Sequence, residues 1–456
     1  MTSEFDKILY EGRRYSSERR LVLSIASAAL KAIDPAQALL RHVNVDGDIL
    51  IAGDAHYVLS SYEHIYVIGA GKACAPMAEA LEGLLGSRIT KGHVNIRYGN
   101  SGNTRRITLF PAGHPIPDKN SLKGTERILS ILGKSTERDL VICLLSGGAS
   151  ALLAKPEEGI SPEEMARTTD ALLRCGAAIQ EINTVRKHLD TVKGGKLARM
   201  ARPSPVLSLI LSDVVGHFDP LPFIASGPTV PDSSSYQDAL AVLSRYHLTE
   251  EIPESVRYLL TSGRDGLLPE NPGADDPIFK GVQNIITGSC RIAAEEILHE
   301  ASKQGLNTLL LTTSIQGEAK ETAAFLVSIA REIQLSGRPV CKPAMLVAAG
   351  ETTVRVTGKG LGGRNQELAL AGAIHLRELE GVIVTSLATD GSDGPTDAAG
   401  GMADCETSVR GANLGLDAYG MLDDNDSYRY LSQTHDLIVT GATNSNVNDL
   451  YLVYVF

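Results

Sequence analysis

A repeated design constrains this chain more than any single residue does: a short, nearly all-apolar run ends in a glycine-rich polar turn and is followed by a helical pattern. HIYVIGAG (64–71), DLVICLLSGGAS (139–150) and PVLSLILSDVVG (205–216) share it, with HVNIRYG (93–99) and RITLFPAG (106–113) as shorter β-rich runs. Continuous apolar runs mark strands buried on both faces, and their alternation with helices marks a parallel sheet covered on both sides. The opening 45 residues read as helices, with Ser16-Ser17 as a cap. Residues 162–200 read as two more, the second running from about Ile182 to Ala201 and rich in Lys and Arg. From 228 to 280 the chain is rich in Pro, Gly and Asp, and PENPGADDPIF (269–279) has linker character. The strand pattern then restarts with VQNIITGS (282–289), LNTLLLTT (306–313), AMLVAAGETTVRV (344–356), GVIVTSLATDG (381–391), LIVTGATN (437–444) and LYLVYVF (450–456). The expected fold class is α/β with two α/β domains, residues 1–280 and 281–456. The larger has a mainly parallel sheet, and the last strand is free to return to it.

Composition excludes several function classes. The formal net charge is −11, whereas a binder of phosphate backbones carries a basic excess, so nucleic acid is not an expected partner. The six cysteines, at 74, 143, 175, 290, 341 and 405, contain no CxxC metal or redox motif and are too sparse for a disulfide scaffold. The first twenty residues are charged and lack the apolar stretch of a signal peptide, and no apolar run approaches the ~18 residues of a membrane helix. A cytoplasmic protein without a membrane partner is expected.

In an open parallel sheet, ligands bind beyond the carboxyl ends of the strands. Six loops there carry candidate chemistry. Gly69-Ala70-Gly71-Lys72 fails as a dinucleotide fingerprint because Cys74 stands where the last glycine belongs, and fails as a Walker loop because Tyr66 and Ala73 break it. What survives is a lysine at a helix start, where positive charge is misplaced unless an anion faces it or the side chain is simply solvated. Ser146-Gly147-Gly148-Ala149-Ser150 can turn backbone N–H groups toward an anion, or be an ordinary turn. Asn183 to His188, with Arg186, leads to Lys193-Gly194-Gly195-Lys196; this basic run suits an anionic ligand, a solvated face or a helix break. Asp213 ends an apolar strand, where a carboxylate can hold Mg²⁺ or accept a hydroxyl proton. Gly362-Gly363-Arg364-Asn365 sets a forked cation beside glycines, suited to phosphate or carboxylate. Asp390, Asp393 and Asp397 lie within eight residues, as an oxygen-rich cation site or an Asx-turn loop. His114 and His217 are each isolated, and no GxSxG elbow occurs.

Taken in order, these segments resemble the class II glycerate kinases. The carriers are VIGAGKA (67–73), GHPIPD with Ser121 (113–121), LLSGGASALL (144–153), INTVRKHL (182–189) with VKGGKLA (192–198), LSDVVG (211–216), ASGPTVPD (225–232), GLGGRNQELAL (360–370), ATDGSDGPTDAAGG (388–401) and Asn-Val-Asn-Asp (446–449). Two motifs depart from the family pattern: Gly288-Ser289-Cys290-Arg291 and the run Gly441 to Val447. The resemblance implies phosphorylation of D-glycerate by ATP, usually giving 2-phosphoglycerate. It also implies two α/β domains, one Rossmann-like, with the active site in the interdomain cleft. Catalytic roles are implied for Lys72, Asp213 and Arg364. On this reading, Arg186 or Lys196 holds the glycerate carboxylate, the loop from Ser146 to Ser150 cradles phosphate beside Asn365, and Asp213, Asp390 and Asp393 are the Mg²⁺ candidates. The expected partners are D-glycerate and ATP, and a homodimer is admissible. Two rival readings are an NAD(P)-dependent hydroxypyruvate reductase, against which the broken fingerprint stands, and a non-catalytic small-acid sensor.

Overall fold

A computed structural model of the chain describes residues 13–216 and 221–456. The first 12 residues, which begin the segment that argued against a signal peptide, and His217 lie outside the described residues. Contacts divide the described chain into a unit drawn from 38–212 and 221–287 and a second drawn from 13–37, 213–216 and 288–456.

The first unit opens with a small antiparallel sheet of β1 (Val43–Asp46), β2 (Ile49–Ala52) and β3 (Ala55–Val58). The sequence reading assigned no strand here, although Gly47-Asp48 and Gly53-Asp54 are two-residue hairpin turns. Its main sheet contains β4 (His64–Ala70), β5 (Lys91–Arg97), β6 (Ile107–Ala112), β7 (Asp139–Ser146), β8 (Val206–Leu211) and β9 (Val282–Gly288), in the order β6-β5-β4-β7-β8-β9. The pairs from β6 through β8 are all parallel, and every residue of β7 and β8 is buried, as continuous apolar runs require. β9 completes this sheet, whereas the sequence reading opened the second domain with it. An apolar strand carries no mark of which sheet it will join. Helices Pro162–Arg174, Ile179–Leu189, Tyr236–Arg245 and Glu254–Arg264 bury a separate core around Leu172, Val185, Leu243 and Leu260.

The basic helix expected from Ile182 to Ala201 is broken into Ile179–Leu189 and Lys196–Ala201. Gly194 and Gly195 stand between them with φ of 56° and 78°, and their N–H groups donate to Ser226 O (3.0 Å) and Gly227 O (2.7 Å). A Cβ on Gly195 would lie 2.9 Å from Val230 O, so the glycine pair closes a loop-to-loop contact that a larger residue would prop open.

The second unit holds β10 (Asn307–Ile315), β11 (Ala344–Gly350), β12 (Val382–Ala388), β13 (Gly400–Ala403), β14 (Leu437–Ile438) and β15 (Asp449–Val455). Their order is β10-β11-β15-β12-β13-β14. β10 and β11 are parallel, and β15 lies antiparallel between β11 and β12, so β10, β11 and β12 all run the same way. The last strand therefore sits in the middle of this sheet. Helix Ser16–Ala32 packs on Cys290–Lys303 in this unit, and its buried Arg19 pairs with Asp404 and Asp436. An amphipathic helix advertises a core-facing stripe, not which core it faces. No helix among the described residues is long and apolar enough to cross a membrane.

Candidate functional site

In the first unit, the ends of β4 and β7 are locked side by side. Lys72 N donates to Gly147 O (2.9 Å) and Ala73 N to Ser146 Oγ (3.0 Å). A Cβ on Gly71, whose φ is 153°, would meet Ser146 Oγ at 2.0 Å, so the glycine permits this lateral approach. Gly148 turns the chain with φ of 83° into the single helical turn Ala149–Leu152. Among the described residues, no acceptor takes the backbone N–H groups of Gly147, Gly148, Ala149 or Ser150. Four consecutive unclaimed donors form a receptor for an anion. A Cβ on Gly148 would stand 3.1 Å from Lys72 Cγ and 2.8 Å from His114 Cδ2, so lysine, histidine and glycine loop are packed together. Burial, then the charges of Lys72 and Arg97, push the His114 imidazole down to about 4, leaving it neutral beside the lysine. Sequence reasoning set His114 aside as isolated; its only signal was membership of GHPIPD.

The other side of this cluster comes from the basic helix. Ser150 Oγ lies 3.0 Å from Ser226 Oγ, which donates to Asn183 Oδ1 (3.0 Å), and Arg186 Nη2 donates to Ser150 O (3.2 Å). Ala225 and Ser226 hold positive φ (54° and 61°), a strained pair of the kind that collects at functional sites. The structure sorts the cations of this segment one by one. Lys187 pairs with Asp232 (3.2 Å), Lys193 with Asp190 (2.8 Å) and Lys196 with Glu157 (2.6 Å). Arg186 has no carboxylate partner among the described residues, and burial lowers its pKa. Lys196, the alternative carboxylate binder, also donates to Asp190 O (2.7 Å), so two of the three N–H groups of its ammonium tie the broken helix together.

In the second unit, the loops following β8, β12 and β14 converge. Asn448 Nδ2 donates to the carbonyl of Asp213 (2.8 Å), Thr389 N donates to Asn448 O (3.0 Å), and Thr443 N donates to Asp390 O (3.2 Å). Arg364 opens helix Arg364–His375 and is gripped by both oxygens of Asp449, with Nη2 3.0 Å from Oδ1, while Nη1 lies 3.2 Å from Glu351. Burial raises the Asp449 carboxyl to about 6, although Arg364 pulls the other way. Tyr451 OH donates to Asp449 Oδ2 (3.3 Å).

Asp393 differs from the metal ligand expected of it. Its oxygens accept from Asn365 N (3.1 Å), Asn365 Nδ2 (3.3 Å), Gln366 N (2.8 Å) and Gln366 Nε2 (3.0 Å). A carboxylate offers about four lone-pair sites, and all are used here. Asp393 thus caps the helix that Arg364 begins, and Asn365 serves that cap, with its Oδ1 accepting from Ser386 Oγ (2.6 Å). Asp390 closes an Asx turn by accepting from Ser392 N (3.0 Å). Asp397 is exposed and accepts from Tyr428 OH (2.8 Å). No group of three or more His, Cys, Asp or Glu side chains suited to a metal occurs among the described residues. Mg²⁺ needs no such cage, because it usually takes one or two carboxylates and completes its shell with phosphate and water.

The structure thus gathers Lys72, Ser146 to Ser150 and Arg186 in one cluster, and Asp213, Arg364, Asn365, Asp390 and Asp393 in the other. Asn183, Ser226, Asp449 and Glu367 stand inside the sequence motifs, but their spacing predicts no role for them. Comparison with known proteins adds the following. A family described as a domain of unknown function, DUF4147, matches residues 21–261, and the MOFRL family matches residues 344–449. A glycerate 2-kinase of Pyrococcus horikoshii is 43% identical, with 96% of this chain and 97% of that protein covered. The crystal structure of a glycerate kinase from Thermotoga maritima superposes with a TM-score of 0.86 at 41% identity, covering 96% of this chain and all of that one. An Agrobacterium vitis protein provisionally named a hydroxypyruvate reductase is 38% identical over 85% of this chain and 86% of its own.

Proposed function

This chain belongs to the glycerate 2-kinase family, and from that premise we propose that it transfers the γ-phosphoryl group of ATP to the 2-hydroxyl of D-glycerate in the cytoplasm, giving 2-phosphoglycerate and ADP. The observation that carries the reading is the run of four backbone N–H groups, Gly147 to Ser150, that no protein acceptor takes. Phosphoryl transfer asks a protein for positioning and charge neutralisation more than for covalent chemistry, and such donors supply both without reorganising.

Arg186 holds the glycerate carboxylate, because a mostly buried guanidinium that donates, among the described residues, only to Ser150 O has its fork available for a bidentate anion. Lys72 and the N–H groups of 147–150 bind phosphate. Arg364, aimed by Asp449, neutralises charge on the transferred group. Asp213 orients the attacking hydroxyl or contributes a ligand to Mg²⁺, and Asp390 is the second acidic candidate. Mg²⁺, held there by such a carboxylate, would supply charge neutralisation for the phosphates.

The test is ³¹P NMR of purified protein with D-glycerate, ATP and Mg²⁺. A phosphomonoester signal of 2-phosphoglycerate supports the proposal in full. A signal of 3-phosphoglycerate keeps the kinase and overturns the regiochemistry, and no ester at all overturns the reading.

A further inference from the structure

The second unit contains a cavity of about 810 Å³ at the carboxyl ends of β10, β11 and β12. Strand carboxyl ends are where open α/β sheets bind ligands, and the volume falls within the ~300–1,000 Å³ of small-molecule sites. Arg364 stands on its wall. Val354, Val356 and Pro395 supply apolar surface, and Val356 is 75% exposed, an apolar side chain with nothing packed over it.

One lining residue is hard to explain by folding alone. Glu367 is only 4% exposed and forms no ion pair among the described residues. Its Oε2 accepts from Asn425 Nδ2 (3.2 Å), and no donor in the described structure reaches Oε1. Asn425 cannot adjust to serve it better, because its Oδ1 is fixed by Thr357 N (2.8 Å) and Gly358 N (2.9 Å). Burial pushes the Glu367 carboxyl up, against the opposing pull of the Asn425 hydrogen bond and of Lys320. A carboxylate with one oxygen held by the protein and the other open to a cavity is the kind of acceptor that collects in binding sites. What completes it is a hydrogen-bond donor from a ligand. A metal ion is not favoured, because of the two other acids lining this cavity Asp393 has its oxygens filled and Glu351 pairs with Arg364. The side-chain amide of Gln316 also lines the cavity without a hydrogen-bond partner among the described residues.

We infer that this cavity is the nucleoside site of the phosphate donor, with Glu367 accepting from the ribose hydroxyls and the apolar wall facing the base. The inference rests on the kinase reading, in which Arg364 meets the transferred phosphate. A vicinal diol offers two donors to one carboxylate, and a site built to bond a hydroxyl discriminates against the analogue that lacks it.

The test uses the full chain and measures kcat and KM for ATP, 2′-deoxy-ATP and D-glycerate, together with calorimetric titration by ADP, on the wild type, Glu367→Gln and Val356→Trp. The wild type should prefer ATP to 2′-deoxy-ATP by roughly 10–100-fold in kcat/KM, the worth of a hydrogen bond to a charged group. Glu367→Gln should lose most of that preference and raise KM for ATP, with KM for glycerate within about twofold of wild type. Val356→Trp, a change at an exposed position, should weaken ADP while circular dichroism stays unchanged, and it carries the test if Glu367→Gln does not fold. An intact preference for ATP in Glu367→Gln, or ADP affinity indifferent to Val356→Trp, overturns the inference while leaving the kinase standing. If the wild type phosphorylates nothing, the kinase reading fails by itself. ADP titration then decides this site, since binding weakened by either variant upholds it and its absence overturns it.

Discussion

Each unit sets an arginine in a cluster of candidate residues, and the two guanidiniums are held in opposite ways. Arg186, in the parallel-sheet unit, is mostly buried, touches Ser150 O and has no carboxylate partner among the described residues. Arg364, in the mixed-sheet unit, is half-buried and clamped by both oxygens of Asp449, with Glu351 beside it. The difference follows from the sheets. β15 runs antiparallel between β11 and β12, so its first residue, Asp449, emerges at the carboxyl ends of both and meets the start of the next helix. In the parallel unit, strands arrive at that edge only with their C-termini, and the loops there present backbone N–H groups and small side chains instead. On the proposed reading, the arginine without a carboxylate partner meets an anion that comes and goes. An arginine fixed by a carboxylate is held for geometry, with part of its charge already balanced.

The comparison breaks first at Arg364. Arg364→Ala should lower kcat by roughly 10²–10³, the usual cost of losing a preorganised transition-state contact. Full activity in a coupled ADP-release assay would remove Arg364 from the reaction. Arg186→Met should instead act on KM, raising it for glycerate by about 10–100-fold with a smaller change in kcat. It should leave thermal stability equal or higher, because an uncompensated buried cation has gone. A drop in stability with unchanged KM would make Arg186 structural.

The pH dependence separates the two arginines further. The folded Asp449 carboxyl lies near 6, above its ordinary value of 3.8, so the folded state binds that proton more tightly than the unfolded state does. Its contribution to stability is therefore present at low pH and lost as pH rises through 6. Activity should move the other way, because only the ionised carboxylate clamps Arg364. kcat should fall below about pH 6 in the wild type and lose that limb in Asp449→Asn, read from kcat between pH 5 and 8. An identical limb in the variant would assign it to another group. The smallest kinetic effect is expected at Lys196. Lys196→Met should cost about 1–3 kcal/mol in urea unfolding, since it leaves Glu157 unpaired, yet keep KM for glycerate within about twofold. A large KM change would restore Lys196 as a substrate ligand.

Much of the architecture was readable in the chain. All-apolar runs announced the buried parallel strands, and SGGAS and GAGK announced turns where only small residues fit. Two segments changed unit on folding: β9 joined the first sheet, and helix Ser16–Ala32 packed in the second unit. Both are apolar patterns whose partner is chosen by complementary packing far away in sequence. The site divides similarly. Arg186 and Lys196 look alike in a basic run, and only the fold brings Glu157 to one of them. Asp393 looks like a metal ligand in DGSDGPTD until the helix at 364 turns its N-terminus onto it.

By itself, then, the sequence determined where the glycine-rich turns and buried strands fall and which polar side chains those turns carry, because local spacing fixes turns, strand burial and the supply of donors. Tertiary structure alone decided which charges are left to meet a ligand. Pairing depends on carboxylates such as Asp190, Glu157, Asp232 and Asp449 that lie 3 to 85 residues away from the cations they neutralise. Electrostatics acts through space, and the sequence records only order along the chain.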